Sequence, residues 1–183
     1  EAARELGSER YLGAYLDPRA AGIHPLNYAR GLAGALAKLG VSIFVNTPVS
    51  SLREDGGKIT IMTPRGQVKA RRLVLATNAY TADFGRLYGN LHRRVVPVST
   101  SVIATAPLSD NVAKTILPNG RLASDTKRLM HYFRLLPGRR LLLGGRGDLL
   151  GRERIESYAR LENSVRVLFP QLDDVRIDYR WSG

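Results

Sequence analysis

The stretch HYFRLL, residues 131–136, sets two side chains with chemical capability two positions apart. On a strand, Tyr132 and Arg134 share one face, while His131, Phe133 and Leu135 take the other. A phenol hydroxyl beside a guanidinium can hold a carboxylate or an amine-bearing substrate through charge-assisted hydrogen bonds. The plainer reading is a strand with one polar face.

A second stretch, VKARRLVLATNAY at 68–80, reads as a buried strand that stops abruptly. Leu73, Val74, Leu75 and Ala76 give way to Thr77, Asn78 and Ala79 with no ordinary turn dipeptide. Either the chain simply loops there, or something lies close against its backbone. The remaining candidates carry less. His24, His92 and His131 are dispersed and do not form the constellation a metal needs, so structural or surface roles are expected. No G-x-S-x-G elbow is present, which argues against a serine hydrolase. In GGRGDLLG at 144–151, Gly145, Gly147 and Gly151 have one residue too many for G-x-G-x-x-G. That segment, with its Arg-Gly-Asp, reads as a turn at a strand end.

These residues need elements to position them. PLNYARGLAGALAKL at 25–39 predicts a helix, with Pro25 in its first turn, Gly40 as its stop and one apolar face. VSIFV at 41–45 predicts a strand, and residues 47–70 a small antiparallel meander turning at Gly56-Gly57 and Arg65-Gly66. From residue 94 the texture changes to a long β-branched strand in which Pro97 marks an edge or bulge. A short helix is expected at 109–116, a hairpin around Pro137-Gly138, an amphipathic helix at 152–170 and a last strand at 174–181.

Composition narrows the class. The chain has 183 residues, 44% of them hydrophobic and none cysteine, which suits a globular, disulfide-free, cytoplasmic protein. No apolar run approaches the roughly 20 residues a membrane helix needs, and the charged start has no leader-like apolar core. The formal charge is +12, but 23 of the 28 basic residues are arginines scattered along the chain. Without a basic stripe or interleaved aromatics, a solvated basic surface is expected rather than a nucleic-acid site. The chain opens on Glu1 and stops on Trp181-Ser182-Gly183 straight after a strand, which reads as a piece of a longer protein.

The order of these segments resembles the middle of a flavoprotein amine or amino-acid oxidase of the D-amino-acid-oxidase-like family. GIHPLNYARGLAGALAKLGVSIFVNTPVSSL, TPRGQVKARRLVLATNAY and HYFRLLPGRRLLLGGRG carry the resemblance. The ATNAY and YFR…P.GR.L.GG textures are similar to those of its gamma-glutamylputrescine oxidase branch. The resemblance implies an α+β (mixed α/β) fold. It comprises a mostly antiparallel substrate-domain sheet with flanking helices, plus a remnant of a Rossmann-like FAD-binding domain. Residues 1–93 would be the partial FAD-binding domain and 94–183 the substrate-binding domain. By resemblance, Ala76, Thr77 and Asn78 face FAD, Val49 meets the adenine through its main chain, and Tyr132 and Arg134 roof the substrate cavity. The family's G-x-G-x-x-G turn and its closing glycine-rich segment do not occur in these residues. An internal fragment, inactive and poor at holding FAD by itself, is therefore expected. In the parent, the resemblance implies oxidation of a C–N bond in a small amine or amino acid. The alternative is a non-catalytic basic module for nucleic acid or an acidic partner.

Overall fold

The computed structural model describes residues 1–84, 90–96, 98–147 and 155–183. Its chain divides into two compact units, Glu1–Gly22 with Val98–Gly183, and Ile23–Pro97. Pro97 and residues 148–154, including the end of the Arg-Gly-Asp segment and the start of the last predicted helix, lie outside the described residues.

The larger unit is built on a five-stranded antiparallel sheet. Short helix α1 (Ala2–Leu6) precedes β4 (Thr100–Thr105), the one-turn α3 (Asp110–Ala113), β5 (Ala123–Ser124), β6 (His131–Leu136), β7 (Arg140–Arg146), α4 (Ile155–Leu168) and β8 (Ile177–Ser182). The strand order is β5-β6-β7-β4-β8, so β8 is an edge. Register follows side-chain size. Phe133, Leu143 and Ile103 stand in one cross-strand row, and all three are buried. Against that row α4 lays Tyr158, Leu161, Val165 and Leu168, spaced for a single helical face. Phe169 meets Phe133 edge-on at 5.4 Å. Each such large side chain contributes about 1.5–3 kcal/mol through burial, so this face sets the unit's stability. Ile155, the first residue of α4, is 82% exposed.

Residues 1–22 cluster with this sheet unit. Leu6 and Tyr11 join its core, and Ser8 Oγ donates to the Leu168 carbonyl at the end of α4. Gly7 ends α1 at φ 72°, and a Cβ there would sit 2.0 Å from the Thr115 carbonyl oxygen. Only glycine allows that approach.

The smaller unit holds α2 (Pro25–Lys38) and a meander of β1 (Ser51–Asp55), β2 (Lys58–Thr63) and β3 (Gly66–Ala70). Helix α2 starts as expected: His24 caps it by accepting the Asn27 amide at 3.3 Å, and Pro25 follows. Its apolar face, expected to be packed, has no buried residue, and Leu26 and Leu32 are about half exposed. Two expected strands are also corrected. Residues 41–45 and 73–76 make no ladder, and Phe44 and Val74 are exposed. A strand buried on both faces needs neighbours to pair with, and the described residues of this unit supply only the meander. No helix among the described residues is long and apolar enough to cross a membrane.

Candidate functional site

The sheet has a second face, opposite the one that α4 covers. Alternation places Tyr132 and Arg134 of β6 there, with Leu142 and Gly144 of β7, Val102 and Ala104 of β4, and Tyr179 and Trp181 of β8. Tyr132 pairs with Gly144, Gly144 with Val102, and Val102 with Trp181. One row therefore crosses four strands from a tyrosine to a tryptophan over two small residues.

Gly144 is the reason the row is shaped this way. A Cβ at that position would lie 2.2 Å from Cε2 and Cζ of Tyr132 and 2.5 Å from its hydroxyl. The far end of the Tyr132 ring thus lies down on the β7 backbone, its hydroxyl carried across the sheet. Val102 and Ala104 are 8% and 2% exposed although neither belongs to the helix-covered core.

Arg134 shares the face with Tyr132, as the alternation predicts. Its Nη1 lies against Gly22, 2.9 Å from where a Cβ there would be. Arg140, at the start of β7, donates to the Thr105 carbonyl at 2.8 Å, pairs with Asp178 and lies 5.1 Å over the Tyr179 ring. Hydrogen bonding and charge from Arg140, with help from Arg176, hold the Asp178 carboxyl below its ordinary range. Sequence reasoning missed Gly144, Tyr179 and Trp181. The two-residue spacing in DYRW carried the aromatic pair, but only register brings it opposite Tyr132.

The second candidate group lies in the smaller unit. Ala76 and Asn78 are exposed and Thr77 half-buried. Among the described residues, no backbone hydrogen bond engages the amides of residues 73–77. Asn78 adopts φ 48°, the left-handed region that glycine favours and asparagine tolerates best among the other residues. The Thr77 hydroxyl is 2.7 Å from that of Thr81, which donates to the Asn78 carbonyl. Amides with no backbone partner among the described residues, beside small side chains, suit a dinucleotide running along a backbone, so this segment fits such a group. Val49 is half-buried, just before β1, and no described hydrogen bond joins it to residues 76–78.

A third cluster is structural. Asp125 takes the amides of Lys127 and His131 on Oδ1, and the Tyr11 hydroxyl and His131 Nδ1 on Oδ2. His131 Nε2 lies 3.1 Å from Ser164 Oγ, which is also 2.9 Å from the Arg160 carbonyl. This is a Ser-His-Asp chain, but Ser164 sits inside α4 with its own carbonyl acceptor one turn back. The arrangement ties the N-terminal segment, β6 and α4 together. Burial first, and then the neighbouring Asp125 charge, push the Tyr11 phenol well above its ordinary value. Among the described residues no group of three potential ligands is placed to hold a metal ion.

A family model described as FAD dependent oxidoreductase matches residues 1–183, and the chain belongs to that family. It is 36% identical over 181 residues to a "Probable oxidoreductase OrdL" of Haemophilus influenzae, covering 98% of this chain and 41% of the relative. It is equally, 36%, identical to the Gamma-glutamylputrescine oxidoreductase of Escherichia coli, covering 98% of this chain and 42% of that one. The fold superposes on L-proline dehydrogenase from P. horikoshii with a TM-score of 0.67 at 19% identity, over 87% of this chain and 42% of that structure. The chain thus spans about two fifths of the length of the relatives it matches.

Proposed function

We propose that this chain supplies the substrate-facing sheet, and part of the flavin-facing lobe, of a cytoplasmic FAD-dependent enzyme that oxidises the C–N bond of a small amine or amino acid. The observation that carries the reading is the sheet face opposite α4, where Tyr132 lies on Gly144 with its hydroxyl carried across the strands. The substrate-binding part comprises residues 94–183 together with 1–22, and the partial FAD-binding part the remainder up to 93.

When bound, FAD supplies a two-electron acceptor for the hydride on the carbon next to nitrogen. The chain's own residues orient and enclose. The Tyr132 hydroxyl and the Arg134 guanidinium hold the polar end of the substrate. The apolar floor of Val102, Ala104 and Leu142 keeps water from the reacting centre. Toward the cofactor, Ala76, Thr77 and Asn78 offer small side chains and open amides, and Val49 offers its main chain to the adenine.

The test compares this 183-residue chain with the full-length protein by titration with FAD and by anaerobic reduction with amines. The expected result is flavin bound and reduced only in the full-length protein. Stoichiometric, tightly held FAD on the isolated chain would overturn the division of labour. A full-length protein without flavin, whose duplex-DNA binding falls steeply as salt rises, would replace the reading with a basic binding module.

A further inference from the structure

The larger unit holds a cleft that the sheet does not line. Its walls come from three segments, residues 3–10, 114–119 and 170–171, and it measures about 760 Å³. None of the lining residues lies on a strand, so the cleft is separate from the row that carries Tyr132. That volume suits a small molecule. The walls are tied to one another by hydrogen bonds. The Leu6 carbonyl accepts the Leu117 amide at 3.4 Å, which joins the first segment to the second. The Gly7 carbonyl accepts Gln171 Nε2 at 3.0 Å, which joins it to the third. Ser8 Oγ, donating to the Leu168 carbonyl, adds a bond beside that one. Walls fixed in this way lower the ordering cost of binding.

Charge selects the ligand. Arg4, Arg10 and Lys114 line the cleft, with Glu5 and Glu9. Glu5 is already committed: Arg121 pairs with one carboxylate oxygen, and the Asn119 side-chain amide donates to the other at 2.8 Å. Arg10 gives its Nε to the Val167 carbonyl at 3.2 Å. Among the described residues, the side chains of Arg4 and Lys114 make no hydrogen bond or ion pair. Three cations therefore face one uncommitted carboxylate, that of Glu9. Ala3, Pro118 and Pro170 add apolar wall for a carbon skeleton. We infer that this cleft binds a small polyanion, a molecule with two or more carboxylate or phosphate groups, through Arg4, Arg10 and Lys114. Guanidinium groups grip either kind of acid group in pairs of hydrogen bonds, and lysine adds a point charge. The inference goes beyond the flavoenzyme reading and does not depend on it. A ligand held here also stabilises the fold it binds, by mass action.

The experiment titrates the full-length protein with tricarballylate and, separately, with pyrophosphate. Ionic strength is matched with sodium chloride, and calorimetry and the thermal midpoint are read. Saturable binding of at least one probe is expected, and the probe that binds tells carboxylate from phosphate chemistry. Arg4→Gln and Lys114→Gln are each expected to weaken it about fivefold. Both side chains are exposed, so these variants leave the core intact. Glu9→Gln is expected to tighten binding, because it removes the one opposing charge. Arg65→Gln loses the same charge in the turn between β2 and β3, and its affinity is expected to match the wild type. Saturable binding of neither probe overturns the proposal. So does an unchanged affinity in the Arg4→Gln, Lys114→Gln double variant, or a loss in Arg65→Gln as large as that in Lys114→Gln. Flavin content and amine oxidation do not enter the readout, so failure here leaves the flavoenzyme reading standing.

Discussion

Asp125 and His131 are joined twice: Oδ1 accepts the His131 amide at 2.9 Å, and Oδ2 lies 3.0 Å from Nδ1. The carboxylate also receives the Tyr11 hydroxyl and the Lys127 amide. One side chain therefore fixes the N-terminal segment, the turn between β5 and β6, and the start of the strand that carries Tyr132.

Acid should loosen this joint first. Burial disfavours the Asp125 charge, but the hydrogen bonds from His131 and Lys127 outweigh it and hold the carboxyl below its ordinary value. A depressed folded pKa contributes stability that is present above about pH 4 and lost as pH falls through the folded value. Urea midpoints measured from pH 7 down to pH 2 should fall in that window. Asp125→Asn should flatten this part of the profile, and Asp125→Ala should cost about 2–4 kcal/mol at pH 7.

Gly144 and Tyr132 should prove energetically coupled. Gly144→Ala lifts the Tyr132 ring off the β7 backbone and should cost about 1–2 kcal/mol. In a Tyr132→Ala background the same change should cost close to nothing. A double-mutant cycle read by chemical denaturation checks this; equal costs in both backgrounds would refute the contact.

The left-handed backbone at Asn78 makes opposite forecasts for two substitutions. Asn78→Gly should leave stability within about 0.5 kcal/mol, because glycine adopts φ 48° freely. Asn78→Val should destabilise by about 1–2 kcal/mol, since a β-branched residue is strained there. In the full-length protein the valine variant should also lose flavin, measured from the absorbance ratio.

Removing residues 1–22 tests where the N-terminal segment belongs. The truncation uncovers Phe133, which Tyr11 stacks on at 6.0 Å, and deletes the Ser8 bond to Leu168. The thermal midpoint of the sheet unit should drop by several degrees. Ser8→Ala alone should cost about 1 kcal/mol, as loss of one buried hydrogen bond does.

What the sequence disclosed follows from how local each signal is. The α4 stripe, the β6–β7 hairpin and the β1–β3 meander are patterns of neighbouring residues, and the structure has all three. VSIFV and LVLA have strand composition but pair with nothing among the described residues, because a buried strand is defined by its neighbours and not by itself. The apolar face of α2 misled in the same way: periodicity announces a face to be covered without supplying its cover. On the site, alternation alone put Tyr132 and Arg134 on one side. Gly144 and Trp181 needed the register of three further strand pairs, which no single stretch encodes.

Trp181 is the only tryptophan in the 183 residues, and it stands on β8, which among the described residues is an edge strand paired with β4. Its emission therefore reports on the margin of the sheet rather than its centre. Edge strands open more readily than the core they border. A fluorescence melt of this chain should run ahead of the loss of circular dichroism, and the gap between the two curves measures how far β8 peels before the Phe133–Leu143–Ile103 row gives way.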